Sequence, residues 1–282
     1  MAKNVMITPI LKWVGGKRQL LSEIMPLINK NCSTYVEPFI GGGAVFFDLQ
    51  PKKAIINDYN EELINVYKVV RDSVDELIAV LEVHEQNNSE EYFYNVRALD
   101  RTEEFEKMSD IEKAARILYL NKTCYNGLYR VNSAGQFNSP YGKYKNPKIV
   151  NSTTLKAMSN YLNKNKIEIR QGDYKEILKG LRKGAFVYLD PPYMPISSSS
   201  SFTGYTENGF GYKQQVELKE ECDKLKKKGI SFLQSNSDCP EIRDLYKDYK
   251  IITVQARRSI NSNAQKRGEI NEVLIYYDPK EQ

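Results

Sequence analysis

The sequence predicts an α/β protein built on an open, mostly parallel sheet, with a helical segment and a β-hairpin inserted into it. Three observations lead there. Short apolar runs rich in β-branched residues alternate with amphipathic stretches, the pattern of strands joined by helices. That alternation stops near residue 61 and resumes near 146. Three of the strand runs end in glycine turns or acids, at the carboxyl edge where open α/β sheets bind ligands.

In chain order, strands are expected near 35–39, 53–57, 166–170, 185–189, 230–234, 250–256 and 272–277, and helices at 17–29, 42–49, 175–182, 213–227 and 240–247. The last two strand candidates are joined by a polar loop instead of a helix, so one of them is expected to run antiparallel. Within the interruption, helical patterns at 61–71, 74–86, 89–100 and 109–122 follow one another without a strand. A hairpin then pairs Leu128–Val131 with Gln136–Asn138 around the turn Asn132-Ser133-Ala134-Gly135. The expected organisation is a catalytic domain, 1–60 with 146–282, carrying a second domain, 61–145. The Ser197–Ser201 run is read as a loop, and Ser197 to Phe210 is expected to lie over a target pocket.

Composition bounds the function. The 282 residues are 41% hydrophobic and 27% charged, ordinary globular values, and no apolar run approaches the roughly 20 residues of a membrane span. Met1 to Thr8 lacks the basic start and apolar centre of a secretory signal, so a cytoplasmic protein is expected. Cys32, Cys124, Cys222 and Cys239 form no CxxC pair, which speaks against a zinc site or a disulfide framework. The one histidine, His84, is read as a surface or satisfied helix residue, so neither a histidine metal cluster nor a Ser-His-Asp triad is supported. Net charge is +5, with basic groups in Arg257-Arg258, Lys266-Arg267 and Gly142-Lys143-Tyr144-Lys145, and tyrosines number 20. Basic loops with tyrosines suit a nucleic-acid face, and a solvated surface equally.

Three segments carry chemistry. In Tyr35-Val36-Glu37-Pro38-Phe39-Ile40-Gly41-Gly42-Gly43, a strand enters a glycine turn and leaves into a helix, which lets a ligand approach the backbone. Asp58 ends the next strand about 20 residues after that turn, where nucleotide folds set an acid against ribose hydroxyls. Neither GxGxxG nor GK[ST] is present, which favours a nucleoside without pyrophosphate, S-adenosylmethionine being the obvious candidate. Leu11-Lys12-Trp13-Val14-Gly15-Gly16-Lys17 sets the only tryptophan beside a glycine pair and a cation, fitting a ligand contact or an anchoring turn. The third, Asp190-Pro191-Pro192-Tyr193, follows the apolar run Phe186-Val187-Tyr188-Leu189. Two prolines fix the backbone and remove its N–H donors, so a carboxylate, carbonyls and a ring are presented together. Acceptors beside a ring suit a planar group with an amino donor, such as adenine. With Asp190 and the Pro191 carbonyl taking its two N–H bonds, the nitrogen lone pair is aimed at an electrophile by positioning alone. A turn without function would tolerate the same residues.

Asp190-Pro191-Pro192-Tyr193 resembles the catalytic motif of amino-group methyltransferases. Lys12-Trp13-Val14-Gly15-Gly16-Lys17, Glu37-Pro38-Phe39-Ile40-Gly41-Gly42-Gly43, Asn57-Asp58-Tyr59-Asn60 and the hairpin are similar, in order, to the Dam-type DNA adenine N6-methyltransferases. The resemblance spans nearly the whole chain. It implies a Rossmann-like class I methyltransferase sheet with an inserted helical and β-hairpin DNA-recognition domain. It implies S-adenosyl-L-methionine as donor, S-adenosyl-L-homocysteine as product and no metal. Trp13, Lys17, Phe39, Gly41, Gly43, Asp58, Asp173, Tyr174 and Asp190 would surround the donor. Tyr174 stands where the family has phenylalanine, adding a hydroxyl that needs a partner. Tyr193 would stack on the target adenine, flipped from the duplex because N6 is paired there. For double-stranded DNA, Arg130 matches the reader of the first guanine, and Leu128 and Pro140 match residues packing on later bases. Tyr125 matches an intercalating ring, with Asn126 its neighbour, and Lys12 a further base contact. Lys143, beside Tyr144, stands where relatives carry arginine, pointing to phosphate. The implied target is 5′-GATC-3′ or a relaxed variant, as in restriction–modification methylases of this type; oligomeric state, a monomer included, is left open. An RNA amino-methyltransferase and a DNA-binding regulator without activity compete with this reading.

Overall fold

The computed structural model describes residues 3–195, 210–257 and 269–281. The loop expected over the target pocket, apart from Phe210 at its end, and the basic residues Arg258, Lys266 and Arg267 lie outside the described residues. Seven strands form one sheet: β1 (Thr34–Glu37), β2 (Lys53–Asp58), β3 (Lys166–Gln171), β4 (Ala185–Leu189), β5 (Ser231–Ser237), β6 (Lys250–Arg257) and β7 (Glu269–Tyr277). Their order is β3-β2-β1-β4-β5-β7-β6. β1 runs parallel to β2 and β4, and β4 parallel to β5, whereas β7 is antiparallel to both β5 and β6. The expected antiparallel strand is therefore β7, and it lies inside the sheet. Between β1 and β4 the order reverses, so their carboxyl ends open a crevice of the kind that holds ligands.

The helices are α1 (Leu21–Ile24), α2 (Ala44–Leu49), α3 (Glu61–Asp72), α4 (Val74–Gln86), α5 (Glu90–Ala98), α6 (Glu104–Lys107), α7 (Asp110–Thr123), α8 (Ser152–Lys164), α9 (Tyr174–Lys179), α10 (Tyr212–Lys227) and α11 (Pro240–Leu245). Three differ from expectation, the one-turn α6 having no counterpart among the expected helices. The single helix expected over 17–29 is α1 flanked by 3-10 turns at Lys17–Leu20 and Met25–Leu27. Pro26, without an N–H, cannot continue an α-helix at that point. Helix α8 was not expected, because Ser, Thr and Asn on its outer face mask an apolar stripe of Leu155, Met158, Tyr161 and Leu162.

The chain divides into two compact units. One comprises Met1–Gly16, Gly41–Lys52 and Asn60–Gln171, and the other Lys17–Ile40, Lys53–Tyr59 and Gly172–Gln282. The second is organised by Val36, Val187, Leu189, Phe232, Val273 and Ile275 of the sheet, packed with Ile177, Leu178, Leu218, Cys222, Leu225 and Ile242 of α9, α10 and α11. In the first, Leu63, Val66, Tyr67 and Val70 of α3 are buried, as are Leu77 and Leu81 of α4 and Ala114, Ile117 and Leu118 of α7. Helix starts are capped by Asn60, Ser89 and the Ser109–Glu112 capping box. His84 is satisfied as expected: Nδ1 lies 2.8 Å from the Tyr92 hydroxyl, the ring stacks on Tyr119 at 4.9 Å, and burial lowers its pKa to about 4.

The hairpin exists as isolated pairings: Val131 bridges Phe137, Asn138 N–H donates to Arg130 C=O at 2.9 Å, and the Asn132 side chain accepts from the N–H groups of Ala134 and Gln136. Its second arm is moored to the end of α5. Asp100 accepts from Phe137 N–H at 2.7 Å, and Arg101 donates to Phe137 C=O at 2.7 Å. Beneath them Arg116, fully buried, donates to the carbonyls of Val96 and Arg97 and pairs with Asp100 at 2.7 Å. We expect Arg116→Met to destabilise the protein by about 1–3 kcal/mol, since it removes the buried guanidinium's bonds to Asp100 and to the Val96 and Arg97 carbonyls, each of which keeps other donors from Arg101, Phe137 or Leu99. Urea unfolding checks this; an unchanged midpoint would show the ion pair to be dispensable.

Candidate active site

Strand β4 is buried along its whole length and delivers Asp190 to its carboxyl end, beside the reversal in strand order. The Lys17 ammonium, on a side chain only 5% exposed, lies 2.9 Å from Asp190 Oδ1 and 4.6 Å above the Tyr193 ring. Burial raises the Asp190 pKa from its ordinary 3.8 to about 6; Lys17 opposes the shift and Glu272 adds to it. The Tyr193 hydroxyl donates to Glu272 Oε2 at 2.6 Å, and burial, with both carboxylates, pushes the phenol well above its usual range. Tyr193 is thus fixed at its rim by Glu272 and approached on one face by Lys17.

The two proline carbonyls differ. That of Pro192 accepts from Gln215 Nε2 at 3.0 Å, whereas that of Pro191 accepts no hydrogen bond among the described residues.

The same strand edge carries a second group. Asn57 donates through Nδ2 to the carbonyls of Pro38 and Gly172, both at 3.0 Å, and its own carbonyl accepts from Ile40 N–H at 2.8 Å. These bonds tie the ends of β1 and β2 to the Gly172-Asp173 turn and place Phe39, Asp58 and Asp173 on one edge. Phe39 packs on Tyr174 with ring centres 5.0 Å apart and meets Phe210 edge-on at 6.2 Å. One Asp173 oxygen caps α9 by accepting from Lys175 N–H. The Tyr174 hydroxyl is buried and has no hydrogen-bond partner among the described residues.

The other unit holds the remaining expected residues. Trp13 stacks on Tyr129 with ring centres 4.6 Å apart. A Cβ on Gly41 would come within 3.0 Å of the Trp13 ring, one on Gly42 within 3.2 Å of Trp13 Cβ, and one on Gly43 within 2.7 Å of Phe47. Gly41 and Gly43 also have φ of 47° and 70°. The glycine turn therefore serves internal packing, which sequence alone left open. Lys12 N–H donates to Asn121, and its ammonium reaches the Asn126 carbonyl at 3.3 Å. Tyr125 N–H donates to the Pro140 carbonyl, joining the two ends of the hairpin segment. Tyr125, Arg130, Pro140, Lys143 and Tyr144 are exposed, while Asn126 and Leu128 are half-buried. Arg130 is held by the Asn138 side chain at 2.6 Å and its carbonyl at 3.0 Å. Lys143 makes an exposed pair with Glu90 at 3.5 Å.

A reversed α/β sheet with a carboxylate, two prolines and a tethered ring at its switch point defines the class of amino-group methyltransferases. The family profile of the D12 class N6 adenine-specific DNA methyltransferases matches residues 13–260, and the chain belongs to that family. It is 46% identical over 272 residues to the type II methyltransferase M1.LlaDCHI of Lactococcus lactis subsp. cremoris, covering 96% of each chain. It is 42% identical to the type II methyltransferase M.MjaIII of Methanocaldococcus jannaschii, over 95% of this chain and 98% of that one. With the DNA adenine methylase of Escherichia coli K12 it shares 36% identity over 95% of each. No helix among the described residues is long and apolar enough to cross a membrane, and no group of metal-binding side chains occurs among them.

Sequence reasoning missed Glu272, Gln215 and Asn236. The one available signal was Ser235-Asn236-Ser237, a polar run closing an apolar strand that is buried throughout.

Two outcomes are expected. As pH falls through about 6, Asp190 gains a proton and loses its capacity as an acceptor, so kcat/KM should fall on the acid side. Lys17→Met should move that limb to higher pH, because Lys17 holds the Asp190 pKa down. A flat profile to pH 5 would refute the role. Separately, Tyr174→Phe should leave stability equal or higher by about 1 kcal/mol, since it removes an unpaired buried hydroxyl; a fall in thermal midpoint would reveal a partner.

Proposed function

We propose that the protein transfers the methyl group of S-adenosyl-L-methionine to N6 of an adenine flipped from double-stranded DNA, within 5′-GATC-3′. The observation that carries this reading is the pair of acceptors at the end of β4: the Asp190 carboxylate and the Pro191 carbonyl, which has no partner among the described residues. They match the two N–H donors of an adenine amino group. An amino nitrogen held by both points its lone pair at the methyl carbon. As the N6–C bond forms and the C–S bond breaks, one N6 proton must leave, and Asp190, with a pKa of about 6, is suited to receive it.

The donor supplies an electrophilic methyl on a sulfonium. The residues along the strand edge fit it: carboxylates at Asp58 and Asp173 for hydroxyl and amino groups, apolar rings at Phe39 and Tyr174 for a base, and an anionic Asp190 for positive charge. The buried Tyr174 hydroxyl, without a partner among the described residues, fits a polar ligand edge as well. Trp13, Gly41 and Gly43 complete the donor set by resemblance. Residues 61–145 act as the recognition domain, with Arg130 reading guanine, Lys12, Tyr125, Asn126, Leu128 and Pro140 on bases, and Lys143 with Tyr144 on the backbone. Relatives named type II methyltransferases and a DNA adenine methylase support adenine in DNA as the substrate, while the GATC target and a cytoplasmic place of action rest on the sequence reading.

The test supplies labelled S-adenosylmethionine with GATC duplexes, unmethylated or already N6-methylated, and with RNA. Label is expected only in the unmethylated duplex, and label confined to RNA would overturn the proposal. Asp190→Ala should abolish turnover while duplex binding persists. Arg130→Ala should lose about 1–3 kcal/mol of discrimination at one guanine; uniform weakening on all sequences would make it a phosphate contact.

A further inference from the structure

Downstream of the two prolines, the backbone polar groups of the turn engage buried amide and hydroxyl side chains. Gln215 of α10 and Asn236 and Ser237 of β5 are 0%, 0% and 5% exposed. Asn236 Oδ1 accepts two backbone N–H groups, from Met194 at 3.1 Å and from Ser237 at 2.9 Å. Its amide orientation is therefore fixed, and Nδ2 must point the other way, where it donates to Gln215 Oε1 at 2.9 Å. That in turn fixes Gln215, whose Nε2 can only donate, and it does so to the Pro192 carbonyl at 3.0 Å. The Ser237 hydroxyl closes the ring by donating to the Met194 carbonyl at 2.7 Å. A relay of two amides thus runs from the end of β5 to one of the two carbonyls beside Asp190.

We infer that Gln215 and Asn236 are positioning residues for the methyl transfer: by engaging the Pro192 carbonyl, the relay leaves the Pro191 carbonyl as the turn's acceptor for the substrate and sets its direction. The chemistry requires such a choice. Neither proline donates, so both carbonyls compete for an incoming amino group, and binding at Pro192 would displace N6 by one residue from its line of attack. Proline rings limit φ but leave ψ, and hence the carbonyl direction, to be set by a partner. Gln215 is that partner for Pro192. This inference rests on the proposed transfer to an amino nitrogen held by Asp190 and Pro191.

Asn236→Asp tests it with no change in volume. The introduced carboxylate still accepts from Met194 and Ser237 but offers Gln215 no donor. Gln215 then turns its Nε2 toward that carboxylate and faces the Pro192 carbonyl with an oxygen. Gln215→Leu removes the donor directly. For each variant, single-turnover methylation is measured at saturating S-adenosylmethionine and saturating GATC duplex, alongside dissociation constants for both and the thermal midpoint. The expected result is a single-turnover rate lowered by about 10- to 100-fold, the loss that misplacement of about 1 Å brings, with both dissociation constants within twofold of wild type. Unchanged single-turnover rates in folded variants would overturn the inference. Equal loss of donor and duplex binding, or failure of both variants to fold, would also overturn it by making the relay a general scaffold. A wild-type enzyme unable to methylate any adenine duplex would instead sink the proposed function, so the two failures are distinguishable.

Discussion

A carboxylate kept ionised inside the protein is the constraint around which the rest is arranged. Asp190 stands at the end of a wholly buried strand, and burial raises its pKa by about two units, from 3.8 to about 6. Two units correspond to about 3 kcal/mol of folding free energy. The sign follows from the direction: the folded state binds this proton more tightly than the unfolded chain. The group's unfavourable contribution is thus absent below about pH 4 and complete above about pH 6. Lys17 keeps the cost from being larger, and it is itself buried to do so. The active site is therefore a place where stability is given up at neutral pH to hold an acceptor ready.

The surroundings supply direction. Asp190, Tyr193 and the proline carbonyls come from one short turn, and each is held by a different element: the 3-10 turn that opens with Lys17, β7 through Glu272, and α10 and β5 through the amides. The hairpin segment follows the same logic in its own unit. Arg130 is folded against Asn138, and the hairpin arm is clamped by Asp100 and Arg101, so these side chains have already given up much of their freedom.

Much of this was legible in the sequence because local signals agreed. All seven strands overlap the short runs that predicted them, and the hairpin followed from a turn whose Asn132 bonds to its own backbone. Asp190 and Asp58 were found because acids at strand ends face the ligand edge of such sheets. The failures have physical causes. Pro26 broke a helix that periodicity alone extended, and the Asn and Ser content of α8 concealed its buried stripe. Glu272, Gln215 and Asn236 escaped notice because their roles depend on which strands become neighbours. The glycine turn was legible as a turn, but its close packing on Trp13 and Phe47 is a tertiary fact.

Strand β7 is the last in the chain, yet it lies between β5 and β6. The sheet cannot close until that strand has left the ribosome, and with it arrives Glu272, which holds the Tyr193 phenol. A chain without β7 in place therefore lacks the carboxylate that holds Tyr193. The catalytic turn thus depends on a strand pairing, β7 between β5 and β6, that can form only after both of its neighbours have been synthesised.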